Sequence, residues 1–234
     1  MTQPNTLLPN APQQRTRIKM CGFTQEADVL AAAAAGADAI GFVLYPPSPR
    51  HVSIERSAEL AGLLPAFVTP VLLFVNDTAE RIQAACAAVP GALIQFHGDE
   101  APEFCEAMSQ ATGRPHLKAA RIPLTEAAQF DLVKFAHLHH QAQAILLDAH
   151  VDGYGGGGKT FNWSLLPTNV NAHLVLSGGL TPANVADGIR ALRTHGRSLA
   201  VDVSSGIEAG KGLKDAEKIQ QFVAAVRAAD ADLL

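Results

Sequence analysis

The amino-acid sequence predicts an α/β protein built as a single-domain (βα)8 TIM barrel with eight parallel strands. From Arg17 onward, eight short apolar runs alternate with longer amphipathic stretches, as in repeated strand-helix units of a parallel sheet. The hydrophobic fraction is 48% and the charged fraction is 17%, which suits strands buried on both faces. Eight such units close naturally into a barrel. An open doubly wound sheet is the alternative, and the absence of GxGxxG after the first strand disfavours its dinucleotide-binding form.

Each apolar run predicts one strand. The strands are RIKMC (17–21), AIGFVL (39–44), PVLLFV (70–75), LIQFH (93–97), HLKAAR (116–121), AILLDA (144–149), HLVLSG (173–178) and SLAVDVS (198–204). A helix-like segment follows each of them, with the weakest pattern at residues 125–140. Thr24 and Thr181 are predicted N-caps, with Pro182 in the first turn. Gly36 is the predicted C-cap of the first helix.

The overall charge and the apolar runs limit the classes of partner. The net charge is -4 and no basic block occurs, so the electrostatic footprint of a nucleic-acid binder is missing. No apolar run approaches the roughly 18 residues that a membrane span requires. We therefore expect neither nucleic acid nor membrane as a partner, but a small molecule. Because nothing in the sequence marks an interface, we expect a monomer.

The cysteines and the N-terminal segment indicate the compartment and the domain boundary. Cys21, Cys86 and Cys105 lack metal-ligand spacing, and no signal peptide is recognisable, which predicts reduced thiols in a cytoplasmic protein. Cys86 and Cys105 lie on helical segments, where we expect them to pack as small apolar residues. Residues 1–16 are rich in Pro, Asn and Gln and predict a flexible leader, followed by one barrel domain over residues 17–234.

Polar residues occur near the C-terminal ends of the predicted strands. Because side chains alternate along a strand, Lys19 and Cys21 share the face opposite Ile18 and Met20. The same alternation gives further inward polar residues, namely Gln95, His97, Asp148, Asp202 and Ser204. Barrel enzymes place their chemistry at this rim, so the pattern predicts an active site. Two alternatives stay open, since an inward Lys19 could only pair with a carboxylate and Cys21 could be a packing residue.

Glycine-rich loops after the last strands give a second functional signal. Glycine lets backbone N–H groups approach a phosphate, and the loops after strands seven and eight commonly form such a site. The predicted phosphate-binding residues are Gly178, Gly179, Ser204, Ser205 and Gly206. The alternative is that these glycines only form tight turns. After strand six, a loop without Walker spacing predicts a mobile lid that contains Gly155, Gly156, Gly157 and Gly158.

Two remaining features have a structural and a functional interpretation. Arg50 follows the second strand, where an arginine could bind a carboxylate with two hydrogen bonds or simply be a surface residue. The cluster of His137, His139 and His140 has no carboxylate or cysteine at metal-ligand spacing. A solvated helix end is therefore favoured over a metal site.

From Arg17 to about residue 227, the sequence resembles the phosphoribosylanthranilate isomerase family of tryptophan biosynthesis. The resemblance rests on KMCGFT (19–24), GADAIGFVLYPPSPRHV (36–52), LFVN (73–76), IQFHGDE (94–100), ILLDAHVDGYGGGGKTFNW (145–163), LSGGLTPANV (176–185) and VDVSSGIEAGKGLKD (201–215). Two segments depart from the family's usual pattern: GGGGKTFNW stands for GGTGKTFDW, and IQFHG stands for VQLHG.

The resemblance implies an Amadori rearrangement of N-(5'-phosphoribosyl)anthranilate by general acid-base catalysis, with no cofactor and no metal. It implies that Cys21 is the base and Asp148 the acid, and that Arg50 holds the anthranilate carboxylate. Gln95, His97 and Asp202 resemble substrate-binding residues of the pocket. The positive charge of Lys19 is expected to favour the thiolate of Cys21.

Two other functions stay open at this point. One is another phosphosugar isomerase or epimerase on a barrel, which would use paired aspartates or metal-bound histidines instead of a cysteine on strand one. The other is a catalytically silent barrel that only binds a phosphorylated ligand. A turnover assay with purified protein would distinguish them.

Overall fold

A closed barrel of eight parallel strands forms the centre of the molecule in the computed structural model, which describes residues 15–124, 130–149, 160 and 162–232. Neighbouring strands follow chain order, and the first strand closes the barrel against the eighth. The strands are β1 Arg17–Cys21, β2 Ala39–Val43, β3 Thr69–Phe74, β4 Leu93–Phe96, β5 His116–Ile122, β6 Ala144–Ala149, β7 His173–Leu176 and β8 Ser198–Val203. All eight predicted strands are confirmed.

Helices lie between successive strands and cover the outside of the barrel. They are α1 Glu26–Ala35, α2 Ile54–Ala61, α3 Ala79–Ala88, α4 Pro102–Thr112, α5 Leu132–Leu138, α6 Val185–Leu192 and α7 Ala216–Ala231. Between β6 and β7, residues 162–172 contain only the 3-10 turn Trp163–Leu165, where the sequence predicted a helix. After β8, the chain forms a short antiparallel hairpin of β9 Glu208–Gly210 and β10 Leu213–Lys214.

The apolar core has two layers, as the alternation of side chains predicted. Outward residues such as Ile18, Met20 and Phe96 are fully buried between the strands and the helices. Inward residues such as Val71 and Leu146 fill the lower barrel. Burying each large side chain contributes about 1.5 to 3 kcal/mol. The lower barrel is thus packed, and the inward polar residues Gln95, His97, Asp148 and Asp202 lie towards the carboxyl ends of the strands.

The predicted cap at Gly36 is confirmed, but two predicted N-caps are wrong. Gly36 is left-handed, with φ of 101°. Helix α1 begins after Gln25, because the hydroxyl of Thr24 donates to the carbonyl of Gly212 in the β9–β10 turn instead, at 2.9 Å. Helix α6 begins at Val185, since the backbone of Thr181 is held in a preceding turn that includes Pro182.

The sequence predicted that the three histidines of the cluster are solvated, and this is wrong for one of them. His137 and His140 are exposed, but His139 is buried against the ring of Phe135, with ring centroids 4.6 Å apart. Helix α5 ends at Leu138, and the next residue, His139, packs against the core. Cys86 and Cys105 are buried in α3 and α4, which confirms their packing role.

The residue before β1 already contacts the folded domain. Thr16, which the sequence assigned to the leader, is buried and bonded to Asp230 of α7. The folded unit therefore includes this residue. Among the helices that the structure describes, none is both long and apolar enough to cross a membrane.

Candidate active site

The carboxyl ends of the parallel strands bring the predicted polar residues to one rim of the barrel. Cys21 ends β1, His97 follows β4, Asp148 lies near the end of β6, and Asp202 lies near the end of β8. All four are buried despite their polarity. Buried polar groups require hydrogen-bond partners, and the partners here define two networks and a charged cluster.

The first network joins β1, β8 and β7. The ammonium of Lys19 donates to Oδ1 of Asp202 at 2.7 Å, and both side chains are 6% exposed. The hydroxyl of Ser177 donates to Oδ2 of the same carboxylate at 3.2 Å. The pairing that the sequence left open for Lys19 is therefore present. Ser177 was missed as a site residue, although its position two residues after inward Val175 was a signal for it.

The charges of this network act on Cys21. Burial lowers the pKa of Lys19, but the charges and hydrogen bonds of Asp202 and Cys21 together outweigh burial and raise the pKa, so the ammonium stays charged. For Cys21, burial raises the pKa, and the charges of Lys19 and Lys214 offset only part of that effect. The expected stabilisation of the thiolate by Lys19 is present, but burial determines the net direction.

The second network consists of Gln95, His97 and Asp148. Nε2 of Gln95 lies 2.9 Å from Nδ1 of His97, and Nε2 of His97 lies 2.9 Å from Oδ2 of Asp148. Because an amide nitrogen only donates, Nδ1 accepts, and the Nε2–H group donates to the carboxyl group. The predicted pocket residues Gln95 and His97 thus contact Asp148. Gln95 orients His97, and His97 orients Asp148.

Glycines allow the loops after β7 and β8 to approach their neighbours closely. Gly178 is left-handed, with φ of 77°, and a Cβ there would lie 2.6 Å from the backbone nitrogen of Ala149. A Cβ on Gly206 would lie 1.9 Å from the carbonyl oxygen of Leu180. Larger residues would clash with backbone at both positions, so packing requires both glycines, and the left-handed conformation requires Gly178 as well.

The same loops present backbone donors. Within the described residues, the half-buried N–H groups of Gly178, Gly179, Ser205 and Gly206 donate to no protein acceptor. Such groups are suited to an anion. The hydroxyl of Ser204 donates to the carbonyl of Cys21 at 2.9 Å, so this side chain ties β8 to β1. The predicted lid glycines, Gly155 to Gly158, lie outside the described residues.

Arg50 belongs to a buried charged cluster that the sequence did not predict. Its Nε and Nη2 donate to the two carboxylate oxygens of Glu208, at 2.6 and 2.8 Å. Lys214 donates to Oε1 of Glu208 at 3.0 Å. Burial would raise the pKa of Glu208, but its bonds and charge pairs with Arg50 and Lys214 outweigh burial and lower it. Strand alternation could not find Glu208 or Lys214, because they lie beyond β8.

The site has the groups for proton transfer on an anionic small molecule. A thiol and a carboxyl group lie at the rim, and free backbone donors and the Arg50 cluster lie near them in the fold. In the described part of the chain, no group of three His, Cys, Asp or Glu residues could hold a metal ion.

The sequence matches one protein-family model and many known proteins. The model describes N-(5'-phosphoribosyl)anthranilate (PRA) isomerase and matches residues 18–225. A protein of that name from Leptothrix cholodnii is 58% identical over 217 residues, which cover 93% of each chain. Another from Methylibium petroleiphilum is 56% identical, covering 93% of this chain and 96% of its own.

Solved structures agree with these matches. Phosphoribosyl anthranilate isomerase from Thermotoga maritima is 38% identical, with a TM-score of 0.79 over 91% of this chain and 99% of its own. A second structure, at 34% identity and a TM-score of 0.74, is a complex with reduced 1-(o-carboxyphenylamino)-1-deoxyribulose 5-phosphate, with the same coverage. On the fold, the site and these matches together, the chain belongs to the N-(5'-phosphoribosyl)anthranilate isomerase family.

Proposed function

We propose that this chain converts N-(5'-phosphoribosyl)anthranilate to 1-(2-carboxyphenylamino)-1-deoxyribulose 5-phosphate, a step of L-tryptophan biosynthesis. The observation that carries the proposal is a buried thiol on β1 and a buried, histidine-bound carboxyl group on β6 at one rim of a family barrel. A relative at 34% identity binds the reduced form of this product, which supports the same substrate here.

Asp148 is the proposed acid. His97 donates to Oδ2, so Oδ1 remains to donate a proton to the furanose ring oxygen. The bond from that oxygen to C1' then breaks, and the nitrogen lone pair forms the Schiff base. The same His97 N–H group stabilises the carboxylate that remains, which favours the transfer.

Cys21 is the proposed base. Its thiolate removes the proton from C2' of the Schiff base, and the electron pair of that bond forms the enolamine. The enolamine then gains a proton at C1' and loses the hydroxyl proton at C2', which gives the ketone. No atoms enter or leave in total, so the residues of the site supply all that the reaction needs.

The substrate carries two anions, and the rim has a place for each. We assign the phosphate to the free N–H groups of Gly178, Gly179, Ser205 and Gly206, where glycine loops meet a short helical turn. We assign the anthranilate carboxylate to Arg50. Asp202, held by Lys19, stays a candidate for the sugar hydroxyls.

Mixing purified protein with N-(5'-phosphoribosyl)anthranilate and following loss of its fluorescence tests the proposal. Asp148→Asn should lower turnover at least about 100-fold, the lower end for general acid-base groups. Cys21→Ser should abolish turnover with nearly unchanged substrate affinity, because a hydroxyl is a far weaker acid than a thiol. The exposed Asp187→Asn serves as control. Near-normal turnover in Asp148→Asn would mean that another residue is the acid. No turnover in the wild type would favour the alternative of a catalytically silent barrel that only binds a ligand.

We also propose that the protein acts as a monomer in the cytoplasm. Every residue in the mechanism belongs to one chain, so no second subunit is needed for the chemistry. A relative from Thermotoga maritima is described as dimeric, and sedimentation velocity would distinguish the two states. A dimer at micromolar concentration would replace this part of the proposal.

A further inference from the structure

Arg50, Glu208 and Lys214 form a buried cluster of three charges, called here the rim triad. The side chains of Arg50, Glu208 and Lys214 are 10%, 6% and 0% exposed. Oε1 of Glu208 accepts from both cations, and Lys214 also donates to the carbonyl of Ser204 at 3.1 Å. The hairpin β9–β10 supplies two of the members, and the loop after β2 supplies the third.

Stability alone does not account for this arrangement. Desolvating charges costs about as much as their attraction returns, so a buried ion pair is weak support for folding. The chain also makes room for the triad: Gly22 has φ of 81°, and a Cβ there would lie 2.4 Å from Cδ of Arg50. The side chain of Arg50 is thus bounded by Gly22 and by Glu208, which restricts where its guanidinium points.

The bonds to Glu208 leave one edge of the guanidinium available. Nε and Nη2 form the side edge, and each of them donates one hydrogen bond to the carboxylate of Glu208. The end edge consists of Nη1 and the second hydrogen of Nη2. Within the residues that the structure describes, Nη1 donates to no protein acceptor. An arginine has enough donors to bind two carboxylates in this way, one on each edge.

The charges of the triad determine whether that edge attracts an anion. Arg50 and Glu208 alone would have no net charge, and a second carboxylate would be repelled by the first. Lys214 brings the sum to one positive charge, which the carboxylate of a ligand would neutralise. Because the triad is shielded from water, these charges interact more strongly than they would on the surface.

We propose that Glu208 is a positioning residue that aims the free edge of Arg50 at the substrate carboxylate, and that Lys214 supplies the charge that offsets Glu208 and keeps the triad positive overall. The inference rests on the proposed function, which assigns the carboxylate to Arg50, and adds what makes Arg50 selective for it. The triad would therefore determine specificity for an aromatic amine that bears a carboxylate.

Two ligands test the proposal: the reduced product, 1-(2-carboxyphenylamino)-1-deoxyribulose 5-phosphate after reduction, and its counterpart with an unsubstituted phenyl ring. Calorimetry measures the affinity of each ligand, so changes in proton transfer at Cys21 do not enter. Glu208→Gln keeps the size of the side chain but releases the guanidinium of Arg50, whose side edge Glu208 holds with two hydrogen bonds. Although the variant triad has one more positive charge, the misaligned end edge should lose a charge-assisted hydrogen bond to the ligand, so the preference for the carboxylated ligand should fall about tenfold. Affinity for the phenyl ligand should not change.

The role of Lys214 is tested by changing the net charge of the triad and then restoring it. Lys214→Met leaves Arg50 and Glu208 neutral together, so the preference should fall. The double variant Glu208→Gln with Lys214→Met has one positive charge again, so it should recover part of the preference that Lys214→Met loses. Glu59→Gln is a matched control, because Glu59 accepts from Arg56 at 2.9 Å on the surface. That control should leave both affinities unchanged.

Each outcome decides between the roles. An equal loss for both ligands, or a double variant weaker than either single one, would mean that the triad is only structural. If Glu208→Gln does not fold, Glu208→Asp keeps the charge but shortens the reach, and a preserved preference there would overturn the positioning role. If Arg50→Met keeps the full preference, the assignment of the carboxylate to Arg50 fails first. A wild type that binds and converts nothing would fail the proposed function itself.

Discussion

At the scale of single residues, two opposing effects act on the pKa of Cys21. The strand parity and the KMCGFT segment predicted its place at the rim, and the structure confirms that place. Its electrostatics could not be predicted from the sequence, because the depth of burial and the position of Lys214 depend on the whole fold. Burial raises the pKa of the thiol, and the nearby ammonium groups lower it in part.

Replacing Lys19 with Met should raise the pKa of Cys21 further, because the cation that favours the thiolate is lost. The thiolate fraction would then appear at higher pH, and the acidic limb of kcat/KM would move upward. The rate of Cys21 alkylation against pH measures this directly in Cys86→Ala, Cys105→Ala backgrounds. Adding Asp202→Asn removes the unpaired carboxylate, and the midpoint should still exceed that of wild type. Equal midpoints in all three proteins would leave Lys19 with a structural role alone.

At the scale of elements, strands were more predictable than helix ends. Each strand has a period of two and a buried run of apolar residues, and both are local properties. The starts of helices were less predictable, because a long-range contact can replace a cap: the hydroxyl of Thr24 bonds to a turn almost two hundred residues away in sequence. The packing of His139 under α5 was also hidden, since exposed and buried histidines in HLHH look alike in a sequence.

Two buried histidines make the α4–β5–α5 region sensitive to acid. Burial lowers the pKa of both His116 and His139 from 6.5 to about 4, and the charge of Lys118 adds to the effect. The unfolded chain therefore binds protons between pH 6.5 and 4 that the folded chain does not, so stability is full above 6.5 and falls as the pH drops through this range.

Replacing His139 with Phe should weaken this pH dependence. The substitution removes one titrating group and also removes Nδ1, a buried atom that has no hydrogen-bond partner among the described residues. Urea unfolding at pH 7.5 and pH 5 would be compared for wild type, His139→Phe and the exposed control His140→Phe. We expect a smaller difference between the two pH values only for His139→Phe. An unchanged difference would place the acid sensitivity elsewhere.

At the scale of the whole molecule, a charged network joins the residue before β1 to helix α7 at the face opposite the site. The carboxylate of Asp230 accepts from the backbone and hydroxyl of Thr16, at 3.0 and 2.6 Å, and from Arg193. Arg227 donates to the carbonyl of Thr16 at 2.8 Å. Burial would raise the pKa of Asp230, but the bonds to Thr16 and Arg193 outweigh it and lower the pKa.

Asp230→Ala should destabilise the protein by about 2 to 3 kcal/mol, as expected for lost hydrogen bonds to a charged group. Turnover at 25 °C should stay normal, because the proposed chemistry at the opposite rim does not use this network. Thermal unfolding compared with Asp232→Ala tests this, since Asp232 pairs with Arg190 on the exposed surface. Equal melting temperatures for the two variants would mean that the network contributes nothing.

The closing pair of strands has a consequence for synthesis on the ribosome. The partners of the site are far apart in sequence: Lys19 and Asp202 are separated by 183 positions, and Arg50 and Glu208 by 158 positions. Until β8 has left the exit tunnel, β1 is an edge strand with half of its hydrogen bonds unmade. A nascent chain that has reached β6 can have its acid network but neither a closed barrel nor the triad. Its exposed edge would be a target for chaperones, and no substrate would be converted before β8 and the β9–β10 hairpin have emerged.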